Sequence, residues 1–361
     1  MNPRQRVLAA LNRQPVDRIP YCEHLVDVRV AAQMVGGIEK LTDDAIAIEM
    51  FHSENPSIQF RSVYRIEPDI SREIGRDNVT FWESLYIFPE HNIYLLDPDQ
   101  ADQGYSADGA IKTWRDVDQL VLRELDDDFW EAARMFVESK GDFAACAIFY
   151  LGIDPMWHSM GYEHFAMSLF DNPALIEALM DRLTDWLAEM VEGLCALDFD
   201  FMWAADDIAF GTSTMFSPAH YRELLLPYQR KVAEKITKPW IFHSDGTLMP
   251  ILDDLLSLGM NAIHPLEPGA MDPGELKRRY GDRLALVGNI DVDLLASGAP
   301  EQVRQQVRER IAQLGPGYGY LLSSSNSITD YCLPENVWAM LEALQEYGRY
   351  PLQEQGLMIN D

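Results

Sequence analysis

Residues 240–246 read Trp-Ile-Phe-His-Ser-Asp-Gly, a short apolar run that ends in residues able to do chemistry. The same pattern occurs at five other places along the second half of the chain. Further runs lead to Asp154 after 146–151, Asp206 and Asp207 after 199–205, Glu267 after 262–266, Asn289 and Asp291 after 284–287, and a Ser/Asn cluster at 323–326 after 320–322. Buried parallel strands read as short apolar runs, and a (β/α)8 barrel carries its catalytic groups where those strands end. The pattern predicts one active site built from six strand ends.

The segments between these runs have helical periodicity, and each begins at a proline. These prolines are Pro173, Pro218, Pro250, Pro273, Pro300 and Pro334. Proline is favoured at the first helical position, and strands that alternate with helices indicate βαβ units. We therefore expect an α/β fold, a distorted TIM (β/α)8 barrel.

The length of 361 residues and the 47% apolar content fit a single domain, 1–361, without a linker. Residues 50–145 look least like a barrel, because 60–66, 81–86, 92–96 and 111–114 resemble strands of a hairpin or meander. We interpret 50–145 as an α+β insertion that covers the barrel mouth.

The formal net charge is −29. So acidic a surface repels nucleic acid and anionic lipid, and it disfavours a polyanionic substrate. The sequence holds neither a membrane-spanning apolar stretch nor a signal-peptide apolar region near its start. The four cysteines, Cys22, Cys146, Cys195 and Cys332, are far apart. We expect reduced thiols in a cytoplasmic protein.

The opening stretch, 3–20, resembles the first helix and strand of the uroporphyrinogen decarboxylase superfamily. Phe242-His-Ser-Asp-Gly246, Leu266-Glu-Pro-Gly269, 288–291 and 323–340 resemble the same superfamily, in the same order along the chain. The resemblance implies a distorted TIM barrel and one of two chemistries. One is cofactor-free decarboxylation of porphyrinogens, and the other is methyl transfer to or from the cobalt of corrinoids (cobalamin-type cofactors).

Departures from the family pattern favour methyl transfer. The decarboxylases carry an arginine-rich motif after the first strand, where this chain reads Cys22-Glu-His-Leu-Val-Asp27. Glu23 and Asp27 would repel a substrate with many carboxylates. In the coenzyme M branch, the zinc ligands are a His-x-Cys pair and a second Cys, and these positions resemble His243, Asp245 and Asn326. Oxygen ligands in place of thiolates make a harder Lewis acid, which suits an oxygen or nitrogen leaving group.

The resemblance therefore implies a demethylase component. It would move a methyl group from an O- or N-methylated small molecule to the cobalt of a corrinoid carried by a partner protein. A homodimer is plausible for a barrel with an exposed rim.

His243 and Asp245 lie two residues apart, so their side chains point to the same side of an extended strand. With Glu267 they are the predicted zinc ligands. The same residues could instead form an acid/base group, and a histidine at a strand end is also a common structural residue. Cys332 is a further candidate ligand, although a buried free thiol explains it equally well.

The predicted catalytic residues are His243, Asp206, Asp207 and Asn326, and the predicted cofactor-binding residues are Ser324, Asn289 and Trp157. Adjacent side chains on a strand face opposite ways, so one of the two aspartates should enter the site, and we interpret the other as a cap for loop 211–217. Trp157, His158 and Trp203 could line an aromatic pocket. Turn chemistry explains the serines, and core packing explains the large aromatic residues, equally well.

Two other classes stay open. A carboxy-lyase acting on a smaller carboxylate would need a cationic anchor, for which Arg29 and Arg61 are the candidates. A non-catalytic corrinoid-handling protein would keep the fold but would need no convergent set of acid, base or metal ligands.

Overall fold

The computed structural model describes residues 1–54, 56–82, 109–122 and 124–352, without the side chains of 56–61, 63 and 64. The chain divides into two compact units. The terminal unit consists of Met1–Thr80, Lys140–Ala144 and Asn261–Asp361, and the middle unit consists of Phe81–Ser139 and Ala145–Met260. No observation tests the prediction of a single domain with a mouth-covering insertion at 50–145, which stays a prediction.

Strands and helices alternate along most of the described chain. The strands are β1 (Asn78–Phe81), β2 (Ala144–Phe149), β3 (Phe201–Ala205), β4 (Trp240–His243), β5 (Ala262–His264), β6 (Ala285–Ile290) and β7 (Tyr320–Ser324). The helices up to the third strand are α1 (Pro3–Leu11), α2 (Val28–Val35), α3 (Ile38–Leu41), α4 (Ala45–Phe51), α5 (Pro56–Ile74), α6 (Trp114–Gln119), α7 (Asp127–Ser139), α8 (Ile153–Met160), α9 (Tyr162–Asp171) and α10 (Pro173–Ala196). The later helices are α11 (Pro218–His220), a π-helical turn (Tyr221–Leu225), α12 (Leu226–Ala233), α13 (Leu252–Leu256), α14 (Pro273–Tyr280), α15 (Val292–Ser297), α16 (Pro300–Leu314) and α17 (Pro334–Tyr347).

The strands pair in parallel within each unit. In the middle unit β3 pairs with β2 and with β4, so that Ala205 lies opposite His243. In the terminal unit β6 pairs with β5 and with β7. All of these strands are buried, as their apolar sequences predict. The α/β class is confirmed, and closure into an eight-stranded barrel stays a prediction.

Residues 20–26 of the terminal unit behave like a further strand. Leu322 of β7 donates its N–H to the carbonyl of Pro20 at 2.9 Å and accepts from Cys22 at 3.0 Å. On the other side, Asp77 donates its N–H to the carbonyl of Tyr21 at 2.7 Å. The segment therefore lies between β7 and the start of β1, with only isolated parallel bridges at Tyr21 and Val26.

Helix starts agree closely with the sequence predictions. Helices α10, α14, α16 and α17 begin at Pro173, Pro273, Pro300 and Pro334. Ser217 caps α11 by accepting the N–H of His220 at 3.1 Å. Fixed proline dihedrals and side-chain caps are local properties, which is why the sequence identifies these starts.

Two strand predictions in 50–145 are wrong. Residues 60–66 lie inside α5, which begins at Pro56 and buries Ile66, Ile70 and Ile74 at a spacing of four. The β-branched and aromatic residues of this stretch suggested a strand, but the helical spacing decides the structure. Pro68 kinks the helix, whose backbone is non-helical at Ile66. Residues 111–113 are not a strand, and Trp114 begins α6. The predicted strands 81–86 and 92–96 cannot be compared with the structure beyond position 82, because 83–86 and 92–96 lie outside the described residues.

All four cysteines are free and buried. None of the helices in the described ranges combines the length and the apolar character needed to cross a bilayer.

Candidate metal centre and active site

Asp207, His243 and Asp245 form a cluster of potential metal ligands in the middle unit. One ligand atom of each residue lies within 4.8 Å of those of the other two. His243 Nε2 is 3.6 Å from Asp207 Oδ1. The adjacent parallel strands β3 and β4 end here, which brings the three side chains together. One histidine and two carboxylates in this arrangement fit a divalent cation such as zinc, with a coordination position left for a substrate.

Backbone hydrogen bonds hold the cluster in place. Asp245 donates its N–H to Asp207 Oδ1 at 2.8 Å. The Ser244 hydroxyl accepts the N–H of Ile208 at 3.1 Å and donates to the carbonyl of Asp245 at 2.8 Å. His243 is buried, whereas the Asp207 side chain is 40% exposed. The site is therefore preorganised and reachable from solvent.

Asp206 faces away from this cluster. Its carboxylate accepts the N–H groups of residues 151–154, at 3.1 to 3.4 Å, and the amide of Gln229 at 2.9 Å. Burial raises the pKa of Asp206 to about 6, although these hydrogen bonds oppose the shift. The interpretation that the second aspartate caps loop 211–217 is wrong, because the unpaired N–H groups that begin α8 occupy its carboxylate.

Asp154, which the sequence places at a loaded strand end, and His158, a candidate for the aromatic pocket, lie one helical turn apart in α8. His158 Nε2 is 3.5 Å from Asp154 Oδ1. Burial, with the nearby charges of Asp207 and Asp206, raises the pKa of Asp154 well above its ordinary value. Burial lowers the pKa of His158 to about 4. Asp154 therefore keeps its proton to a higher pH than an ordinary aspartate, and His158 is neutral at pH 7. The sequence signal for this pair is a spacing of four residues, one helical turn, directly after a predicted strand.

Trp157 lies against the cluster, whereas Trp203 belongs to the core. Trp157 donates its indole N–H to the carbonyl of Asp207 at 2.9 Å and stacks on His158 with ring centroids 3.6 Å apart. Trp203 is fully buried in β3, 6.2 Å from the ring of Phe201. Core packing therefore accounts for Trp203.

The other predicted site residues belong to the terminal unit. Asn289 is fully buried and donates to the carbonyl of Leu266 at 2.9 Å. Ser324 donates its hydroxyl to Glu23 at 2.7 Å and accepts the N–H of Asn326 at 3.4 Å. Glu267 follows β5 and is not a member of the three-residue cluster. The proposed roles of these four predicted residues stay predictions.

Glu23 is the centre of a second polar group that we missed. It accepts the Ser323 hydroxyl at 3.0 Å and the Ser324 N–H at 3.1 Å, and His264 Nε2 lies 3.3 Å from Ser323 Oγ. Burial raises the pKa of Glu23 to about 7, although the serine hydrogen bonds oppose the shift. Burial also raises the pKa of the Cys332 thiol. No local pattern could have linked Glu23 to serines 300 residues away.

Comparison with known proteins identifies the family of this chain. The family model described as uroporphyrinogen decarboxylase (URO-D) matches residues 153–347. The chain belongs to this family.

The individual relatives are distant. The uroporphyrinogen decarboxylase of Shewanella pealeana is 25% identical over 203 residues, covering 52% of this chain and 53% of that protein. That of Pseudomonas fluorescens is 28% identical over 186 residues, covering 49% and 50%. The chain thus spans about half the length of these curated relatives. A methyltransferase from Methanosarcina mazei shares the fold, with a TM-score of 0.69 and 18% identity over 96% of this chain and 99% of that one.

Proposed function

We propose that this protein is a methyltransferase that moves a methyl group from an O- or N-methylated small molecule to the cobalt of a corrinoid protein. The observation that supports this proposal is the Asp207, His243 and Asp245 cluster at the ends of adjacent strands. The fold shared with the Methanosarcina mazei methyltransferase is consistent with it. The corrinoid, carried by a partner protein, and the methylated compound are part of the proposal.

The side chains of the site supply what demethylation needs. A divalent metal such as zinc, held by the three residues, would act as a Lewis acid toward the departing oxygen or nitrogen. Asp154 offers a proton to the same leaving group, because its raised pKa keeps it protonated at higher pH than an ordinary aspartate. Asp206 orients the start of α8 and so positions Asp154. A cobalt(I) corrinoid brought by the partner protein would accept the methyl group, and the departing oxygen or nitrogen would take its proton from Asp154.

The alternative of a carboxy-lyase acting on a smaller carboxylate has less support. Its candidate anchor Arg29 is already occupied by Asp27, at 2.7 Å, and by Asp330, at 3.2 Å. The side chain of Arg61, the other candidate, lies outside the described part of the structure.

Metal content, followed by methyl transfer, tests the proposal. Protein purified without chelator and supplied with zinc should contain near-stoichiometric metal by plasma mass spectrometry. His243→Ala and Asp245→Asn should lose most of it, because each removes a ligand. The surface variant Asp171→Asn is the control and should bind metal as the wild type does.

Transfer is then followed as the absorbance change of a cobalt(I) corrinoid protein mixed with methylated donors. We expect methylation with the wild type and at least about a hundredfold less with His243→Ala. Failure of every O- and N-methylated donor to methylate cobalt(I) would contradict the proposed function. If metal-free protein transfers methyl groups as fast as the zinc-loaded protein, the role of zinc is rejected. Acid catalysis by Asp154 then remains as the means of activating the leaving group.

A further inference from the structure

Glu23, Ser323 and His264 form a continuous hydrogen-bonded series inside the terminal unit. The Ser323 hydroxyl lies 3.0 Å from Glu23 Oε1 on one side and 3.3 Å from His264 Nε2 on the other. The three side chains come from different parts of the unit, namely the segment 20–26, β7 and β5. All three are fully buried. The serine hydroxyl therefore connects a carboxyl group to an imidazole ring in a place shielded from bulk solvent.

The direction of these hydrogen bonds depends on the charge of Glu23. A serine hydroxyl carries one proton and donates one hydrogen bond at a time. When Glu23 is ionised, the Ser323 and Ser324 hydroxyls both donate to its Oε1 atom, at 3.0 and 2.7 Å, and Ser323 accepts from an N–H at His264 Nε2. When Glu23 is protonated, its hydroxyl can donate to Ser323, whose own proton turns toward His264 Nε2. The charge of Glu23 thus decides whether His264 Nε2 donates or accepts.

We propose that Glu23, Ser323 and His264 are a proton relay, in which a proton taken up by Glu23 passes through the Ser323 hydroxyl to His264. This inference goes beyond the proposed methyl transfer and does not depend on it. In the transfer step, the O–H bond of the Glu23 carboxyl breaks as its proton bonds to Ser323 Oγ. The original Ser323 O–H bond breaks as that proton bonds to His264 Nε2. The products are a carboxylate, an intact serine hydroxyl and an imidazolium, so the total charge is unchanged.

The surroundings of Glu23 suit proton transfer near neutral pH. Burial raises the pKa of Glu23 to about 7, although the serine hydrogen bonds oppose the shift. That value lies in the range in which an ordinary imidazole titrates. Proton transfer is most efficient between groups whose pKa values are close to each other and to the working pH. A glutamate at this position can therefore exchange its proton with a histidine at neutral pH.

Further ionisable groups lie near the relay, on the segment 20–26, beyond the end of α5 and before α17. They are Tyr21, His24, Arg76 and Cys332. Arg76 lowers the pKa of Glu23, against the larger effect of burial. The ring centroid of His24 lies 5.8 Å from that of His264. A test must therefore show that a change at His264 comes from Glu23 and not from His24.

Nitrogen NMR of protein with isotope-labelled histidine reports on the proton at each ring nitrogen of His264. The signal that is missing from His264→Asn identifies this residue among the eight histidines. Between about pH 5 and about pH 8, the Nε2 signal of the wild type should move with a midpoint near pH 7, where Glu23 loses its proton. In Glu23→Gln this movement should be lost, because glutamine does not ionise.

Two matched variants test the part played by the serine. Ser323→Ala and Ser324→Ala each remove one hydroxyl that donates to Glu23 Oε1, so both should raise the pKa of Glu23. Only Ser323 also contacts His264, and only Ser323→Ala should abolish the response of the His264 signal. Ser323→Thr keeps a hydroxyl at this position and should retain the response.

A His264 signal that does not move in the wild type, or that moves equally in the two alanine variants, would overturn the relay. Movement that persists in Glu23→Gln would also overturn it and would assign the proton to His24. The test needs neither a methyl donor nor a corrinoid, so its failure is distinguishable from failure of the proposed function.

Discussion

Asp206 and Asp207 are neighbours in sequence with opposite surroundings. Asp207 is partly exposed beside His243, whereas Asp206 is buried and accepts backbone N–H groups at the start of α8. The alternation of side chains at a strand end makes this difference predictable, but it does not say which residue faces which way. The contacts assign Asp206 a positioning role.

We expect Asp206→Ala to lower the free energy of unfolding by about 2–4 kcal/mol, because several buried N–H groups and the Gln229 amide lose their acceptor. Urea unfolding measures the change. The exposed Asp171→Ala should change stability by less than about 0.5 kcal/mol. A loss below about 1 kcal/mol for Asp206→Ala would contradict the positioning role.

The candidate site shows which residues can be found from sequence. His243 and Asp245 bracket a strand end at a spacing of two, which local alternation makes visible, and the structure brings them together with Asp207. The raised pKa of Asp154 arises from burial and from nearby charges, which depend on the folded chain. Such properties belong to the tertiary environment, so local sequence patterns do not contain them.

At the scale of elements, a buried ion pair joins Glu67 of α5 to Arg76, two residues beyond the end of that helix. Glu67 and Arg76 are fully buried and hydrogen-bonded to each other. Glu67 also accepts the N–H of Thr80 at 2.8 Å, and Arg76 donates to the Ser71 hydroxyl at 2.8 Å. The pair thus ties the end of α5 to β1.

Arg76→Met should destabilise the protein by about 3–5 kcal/mol, because it leaves the Glu67 carboxyl buried without its cation. The matched control is Arg72→Met. Arg72 forms a salt bridge with Asp69 on the surface of the same helix, at 2.7 Å, with 60% of its side chain exposed. That pair should contribute less than about 1 kcal/mol. If the two substitutions changed thermal unfolding equally, the stabilising role of the buried Glu67–Arg76 pair would be refuted.

Helices and strands could be predicted from the sequence where residue types and apolar spacing indicate the same structure. They could not be predicted where these two signals disagree. Proline starts and apolar runs identified most helices and strands of the second half. In 60–66, strand-forming residue types compete with a helical spacing, and burial of Ile66, Ile70 and Ile74 favours the helix. The segment 20–26 also shows this limit, because its pairing with β7 depends on residues far along the chain.

At the scale of the whole molecule, buried carboxyl groups make stability depend on pH in an unusual direction. Burial raises the pKa of Glu23 from 4.5 to about 7 and that of Asp206 from 3.8 to about 6. Above pH 4.5 the unfolded chain releases protons that the native state still holds, so rising pH favours unfolding until the native groups ionise. Groups whose pKa is lowered in the native state, such as Asp44, change the free energy of unfolding at lower pH.

The free energy of unfolding should therefore fall between pH 5 and pH 8. Glu23→Gln should make this fall smaller by about 2 kcal/mol, because glutamine cannot ionise. Urea titrations at several pH values measure it. Glu73→Gln, at an exposed position of α5, should leave the slope unchanged. A steeper fall in Glu23→Gln, or none in the wild type, would show that the Glu23 carboxyl is not the group responsible.

The pairing of residues 20–26 with β7 has a consequence for synthesis on the ribosome. Glu23 and Ser323 are 300 residues apart. At about 5–20 residues per second, translation separates them by roughly 15–60 s. During that time the opening segment can pair with the start of β1 but lacks its partner on the other side, β7. The completion of β7 therefore sets the earliest moment at which this segment can acquire both of its neighbours.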